Sequence, residues 1–340
     1  MRVALLLLVA LACGENASAP SSLSPSEQAT RDVKTYVDEN LTELVRAVRT
    51  LCDAAPAPDE DGWSMDADAD AVTGMRDAWR DARAAYERIE GAIAILFPGL
   101  DRTLDGRYEH HIALRGDPDL FDDQGFTGMH AVERILWSNE ITPEVARFEE
   151  ALSGYVEART PATAAEATSF REGLCGRLVR DAETMQRQFG PLALDPQTAW
   201  RGIQGSLEEQ AEKVALAATG QDESRYAQQT LADMRANLVG GRAVLNAYAP
   251  VLAAHPEAQA LRPQIDEGFE SLGSAYGEGV AIPGVPEGFD PDEPSEAHIA
   301  TPYGSLFRRV AGAVDPRADG SLAYHVRRAG DAMGIPPLGR

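Results

Sequence analysis

From Ser26 almost to the end of this chain, apolar residues recur at three- and four-residue spacing, and no alternating stretch persists. That period lines them along one helix face and confines the chain to helix-on-helix architecture. Val33, Tyr36, Val37, Leu41, Leu44, Val45, Val48 and Leu51 mark a first helix. An acidic, proline-bearing loop covers 53–70. A second helix is predicted over 72–97, with Met75, Trp79, Ala82, Tyr86 and Ile89 on one face, and Pro98-Gly99 stops it. Residues 98–127 lack a period and read as a long irregular connection. Further helices follow around 130, over 145–156 and over 170–189, where Gly190-Pro191 breaks the pattern. Beyond it lie 200–214, 231–248 and 261–276, a Gly- and Pro-rich loop at 277–302, and two closing helices. The expectation is an all-α fold of two four-helix-bundle-like halves in tandem, 26–190 and 191–340.

The ends and the charge suggest a compartment. Residues 1–12 carry one Arg and then a short apolar run, the pattern of a secretory signal, too short to span a bilayer. The run closes on Ala10-Leu11-Ala12-Cys13, which resembles a bacterial lipobox with Cys13 as the lipidated residue. Residues 13–25 would be the tether. An exported protein keeps disulfides, so Cys52 and Cys175 either bridge or sit as two separate buried thiols. The net charge of −23 argues against nucleic acid as a partner and for the concentration of cations.

Chemistry concentrates in Gly125-Phe-Thr-Gly128-Met-His130-Ala-Val-Glu133. His130 and Glu133 stand one helical turn apart and make half a metal site. Glu87 and Glu90 repeat that spacing in the second helix beside Ile89; the plain reading puts both at an exposed edge, paired with Arg83 or Arg88. Asp101 and Asp105 follow in the connection, where aspartates are commonly turn formers. Of His110 and His111, at most one joins a site. Imidazole and carboxylate together suit iron, zinc or manganese. HExxH is absent, HxxEH fails at Arg134, and the ferritin-type ExxH order is reversed.

The segment 128–133 resembles the GxHxxE signature of the imelysin-like family, also called the M75 peptidase family, which includes iron-uptake proteins of the EfeO and EfeM types. Tyr86-Glu-Arg-Ile-Glu90 with Leu100-Asp101, and Gly220, Arg225-Tyr226, Asp233, Asn237 and Gly240, extend the likeness over about residues 30–335. The resemblance implies two four-helix bundles with the GxHxxE segment near their junction. It implies metal ligation by Glu87, Glu90, Asp105, His130, Glu133 and Glu223, with Asp101 competing for the place of Asp105 and Asp222 for that of Glu223. The chain resembles the shorter members, which lack a cupredoxin domain.

Three functions are compatible with these residues. The first is a periplasm-facing lipoprotein of the cell envelope that captures iron, with zinc or another divalent cation as the alternative, and passes it to an inner-membrane permease. The second is a metallopeptidase with Glu133 as ligand or general base. The third is a structural surface lipoprotein without metal.

Overall fold

The computed structural model describes residues 23–64 and 66–335, and among these none lies in a strand. The signal peptide and Cys13 fall outside the described residues. Helices run in the order α1 (Pro25–Asp53), α2 (Ala69–Leu96), α3 (Pro98–Asp105), α4 (Tyr108–Arg115), α5 (Met129–Leu136), α6 (Pro143–Glu150), α7 (Ala164–Ser169) and α8 (Gly176–Phe189). There follow α9 (Pro196–Ala217), α10 (Thr230–Ala247), α11 (Ala249–Ala254), α12 (Pro256–Tyr276), α13 (Glu296–Ile299), α14 (Pro302–Val314) and α15 (Leu322–Ala332). The all-α expectation holds.

Local chemistry starts the elements. Ser24 caps α1 in a capping box with Glu27, and Pro25 occupies its first turn, where no amide donor is needed. The side chains of Thr142, Asp195, Thr301 and Ser321 cap α6, α9, α14 and α15 by accepting a first-turn amide. A π-helical turn at Phe170–Cys175 joins α7 to α8. There the Leu174 amide donates to Phe121 O at 3.1 Å, a carbonyl outside the helix.

One expectation is corrected. The connection at 98–127 contains α3 and α4, so Asp101 and Asp105 are helical and not in a loop. Each helix has only eight residues, little more than two turns, too short to display a clear period.

Two apolar cores form. One gathers α2, α5, α8 and most of α1, including Trp79, Ile135 and Phe189. The other gathers α9 to α12, α14 and α15, including Trp200, Phe269 and Tyr303. Ala29 and Val33 at the start of α1 belong to the second core, and Tyr226 and Ala227 to the first, so the chain crosses between them four times. The α2 helix packs on α1 and also on α9 and α10. Gly91 of α2 faces Gly205 of α9 so closely that a Cβ on Gly205 would collide with the Gly91 carbonyl. Backbones at that range bring the polar stripe of α2 into the seam between the cores. Cys52 at the end of α1 is disulfide-bonded to Cys175, with Cα atoms 5.6 Å apart.

Candidate metal centre

The α2 helix carries Arg83, Glu87 and Glu90 at helical spacing, and all three are buried in the seam. This corrects the plain reading of an exposed edge, although Glu87 does pair with Arg83. The α9 helix sets Lys213 opposite, fully buried, and α10 sets Asp233 and Asn237. The turn between α9 and α10 supplies Glu223. Gly128 at the start of α5 has φ +95° and sits against the carbonyls of Thr103 and Leu104; any side chain would clash there. That approach seats His130 beside Asp105.

His130 is 3 % exposed. Its Nδ1 lies 2.7 Å from Glu133 Oε2. The other Glu133 oxygen accepts the amides of Tyr226 at 3.0 Å and Ala227 at 2.8 Å. His130 Nε2 lies 3.2 Å from Asp105 Oδ1 and 3.5 Å from Glu223 Oε1, ion-pair range for a protonated ring, yet neither approach has hydrogen-bond geometry. Donor atoms of Asp105, His130 and Glu223 lie within 4.8 Å of one another, as do those of Glu87, Glu90 and Glu223. Glu223 belongs to both trios.

Fixed cations balance the acids. Arg83 pairs with Glu87 and Asp105, and its Nη2 lies 2.5 Å from Glu223 Oε1. Lys213 Nζ stands 3.0 Å from Glu87 Oε1, 3.0 Å from Glu90 Oε2 and 3.5 Å from Glu223 Oε1. Arg107 reaches Glu223 at 3.3 Å, and Asn237 donates to Glu90 at 2.9 Å.

The protonation pattern follows from burial and these partners. Burial pushes Glu87 and Glu90 up, against the pull of Arg83 and Lys213. Glu209, one turn before Lys213, is raised to about 9 by burial and by Glu90. Burial opposes charge on Asp105 and Glu223, but Arg83 holds the first below the usual carboxylate range, and Lys213, Arg107 and Arg83 hold the second well below it. Burial likewise opposes a charged His130, and the carboxylates of Asp105, Glu133 and Glu223 outweigh it, raising the imidazole well above its ordinary value.

The expected residues therefore divide. Glu87, Glu90, Asp105, His130 and Glu223 come together, whereas Glu133 stands behind His130 and orients its ring. Asp101 accepts from Tyr86 Oη, and Asp222 accepts from Thr230 Oγ1 at 2.9 Å. His111 packs against Phe126 with centroids 5.6 Å apart, outside both trios. Sequence reasoning missed Lys213 and Arg107. Lys213 had one signal: it is one of only two lysines in the chain, beside Lys34, and it directly precedes the apolar run 214–218.

Two buttresses fix the turn that carries Glu223. Arg225 makes a double hydrogen bond to Glu109, both at 3.0 Å, and Tyr226 Oη donates to Glu149, which also holds Arg134. The donor set fits a divalent or trivalent cation. It is hard oxygen with one imidazole, its one orphaned buried atom is a ring nitrogen suited to ligation, and the opposite ring nitrogen is already fixed by a carboxylate.

The model of the imelysin family, peptidase family M75, matches residues 29–294. The iron uptake system component EfeO of Yersinia pestis is 25 % identical over 268 residues, covering 79 % of this chain and 58 % of that protein. EfeO of Escherichia coli K12 is 26 % identical over 240 residues, covering 70 % and 50 %. The chain thus spans about half the length of these relatives. The crystal structure of an imelysin-like protein from Psychrobacter arcticum 273-4 superposes with a TM-score of 0.54 at 12 % identity, over 94 % of this chain and 99 % of that one, a likeness of fold. With most of its length matched by the family model, this chain belongs to the imelysin family.

Proposed function

We propose that this protein captures iron in the cell envelope for uptake. The observation that carries the reading is the buried His130 Nε2, without a hydrogen-bond partner and close to Asp105 and Glu223. A neutral imidazole and two carboxylates there would hold iron as cargo, with Glu133 keeping the proton on Nδ1. Glu87 and Glu90 complete the acidic wall. The two relatives named as iron uptake components support iron over zinc.

The finer parts of the reading rest on sequence. Lipidation at Cys13 would hold the protein at the membrane, and an inner-membrane permease would receive the iron. Among the described residues no helix is long and apolar enough to cross a membrane. Anaerobic titration of the metal-free protein with iron(II) tests the site: the expected result is saturable binding that His130→Ala abolishes. Equal binding by wild type and variant overturns the reading. Cys13→Ala should release the protein from the membrane fraction; unchanged fractionation overturns the anchor.

A further inference from the structure

Of the two acidic trios, one has an unpartnered nitrogen at its centre and the other has an ammonium. We infer that Lys213 is the tethered cation of the Glu87–Glu90–Glu223 trio, so that the chain holds a single metal ion, on the side of Asp105 and His130. This rests on the metal-binding reading of the same seam and assigns its stoichiometry and place.

The chemistry of the ammonium matches the trio. A lysine has three donors and no acceptor. Lys213 Nζ faces three carboxylate oxygens, at 3.0, 3.0 and 3.5 Å. The side chain is fully buried, so no water competes. Carboxylates gathered in a buried place are costly without a counter-charge, and this one is covalently supplied. A metal bound through the same oxygens would need them at about 2.0–2.2 Å, in the space that Nζ fills. Arg83, also buried, is a counter-charge shared by both trios through its Nη atoms, bonded to Glu87, Asp105 and Glu223, but it does not reach Glu90 and leaves His130 Nε2 without a hydrogen-bond partner. Glu209, Asn237 and Asp233 surround the same seam, but none is an additional cation. Replacing the ammonium by a neutral side chain of similar length would turn the second trio into a second divalent site.

The test uses the full chain as wild type, Lys213→Met, and Lys34→Met as a control for the other lysine. Zinc and, anaerobically, iron(II) are measured by equilibrium dialysis and metal quantitation, with melting curves in chelator and in metal. The expected result is one equivalent for wild type and Lys34→Met, and two for Lys213→Met. Lys213→Met should also melt lower than wild type in chelator and recover more than wild type in zinc. One equivalent in Lys213→Met, with no extra stabilisation by metal, overturns the inference. If wild type binds none and Lys213→Met binds one, Lys213 is still the tethered cation of its trio, and the single-ion assignment falls together with the iron-capture reading. A variant that folds only in zinc supports it. A variant that stays unfolded with zinc present overturns it, because a free cation then cannot replace the ammonium.

Discussion

Glu133 holds His130 from behind: its Oε2 lies 2.7 Å from His130 Nδ1, while its Oε1 is tied to the amides of Tyr226 and Ala227. One carboxylate thus fixes both the imidazole and the turn bearing Glu223. Carboxylates in this position orient a ligating histidine and raise its basicity. Glu133→Gln should therefore weaken metal binding by about 10–100-fold with the fold retained. Competition against a chromophoric chelator measures this, and an unchanged affinity would contradict it.

Metal should stabilise the fold and release protons. His130 is held protonated in the metal-free seam by its carboxylate neighbours. A ligating group must give up its proton. Zinc or iron should raise the melting temperature of wild type, and His130→Ala combined with Glu133→Ala should remove the rise. Calorimetry in buffers of different ionisation enthalpy should show proton release in wild type alone.

The contact of Gly91 with Gly205 leaves no room for a methyl group. Gly205→Ala would push α9 away from α2 and should cost about 3 kcal/mol. The same shift would move Lys213 from Glu87 and Glu90. Urea unfolding of the variant gives the first effect and its metal stoichiometry the second.

Asp101 introduces a pH dependence. Burial, with Asp105 nearby, raises its carboxyl to about 7, above its unfolded value. The protonated form is favoured by the fold, so the contribution to stability is full below about pH 4 and is lost as pH rises through about 7. Asp101→Asn should flatten the stability profile in that window, as read from urea midpoints at a series of pH values. A profile unchanged by the substitution would show that other groups set it.

The Cys52–Cys175 bond spans a sequence separation of 123 residues. Cross-links that close long loops restrict the unfolded chain most, so Cys52→Ala with Cys175→Ala should lose about 4 kcal/mol. The metal affinity of the double variant should stay near that of wild type.

Sequence alone determined the all-α class, because Val33, Leu41, Leu44 and Val48, like Trp200, Ile203 and Leu207, repeat at a period only a helix can bury on one face. It also determined the pairing of His130 with Glu133, since one turn of helix is local geometry. What it could not determine was the sign of the surroundings. Glu87 and Arg83 read as an exposed pair, because a charge beside an apolar stripe is cheapest at the surface. Only the approach of α9 and α10 to α2, permitted at Gly91 and Gly205, buries that stripe and brings Lys213, Glu223 and Asn237 against it. Those residues lie more than a hundred positions from Glu87, and no period or spacing links them. The charge of a buried site is set by which distant helices meet, and that is a property of packing.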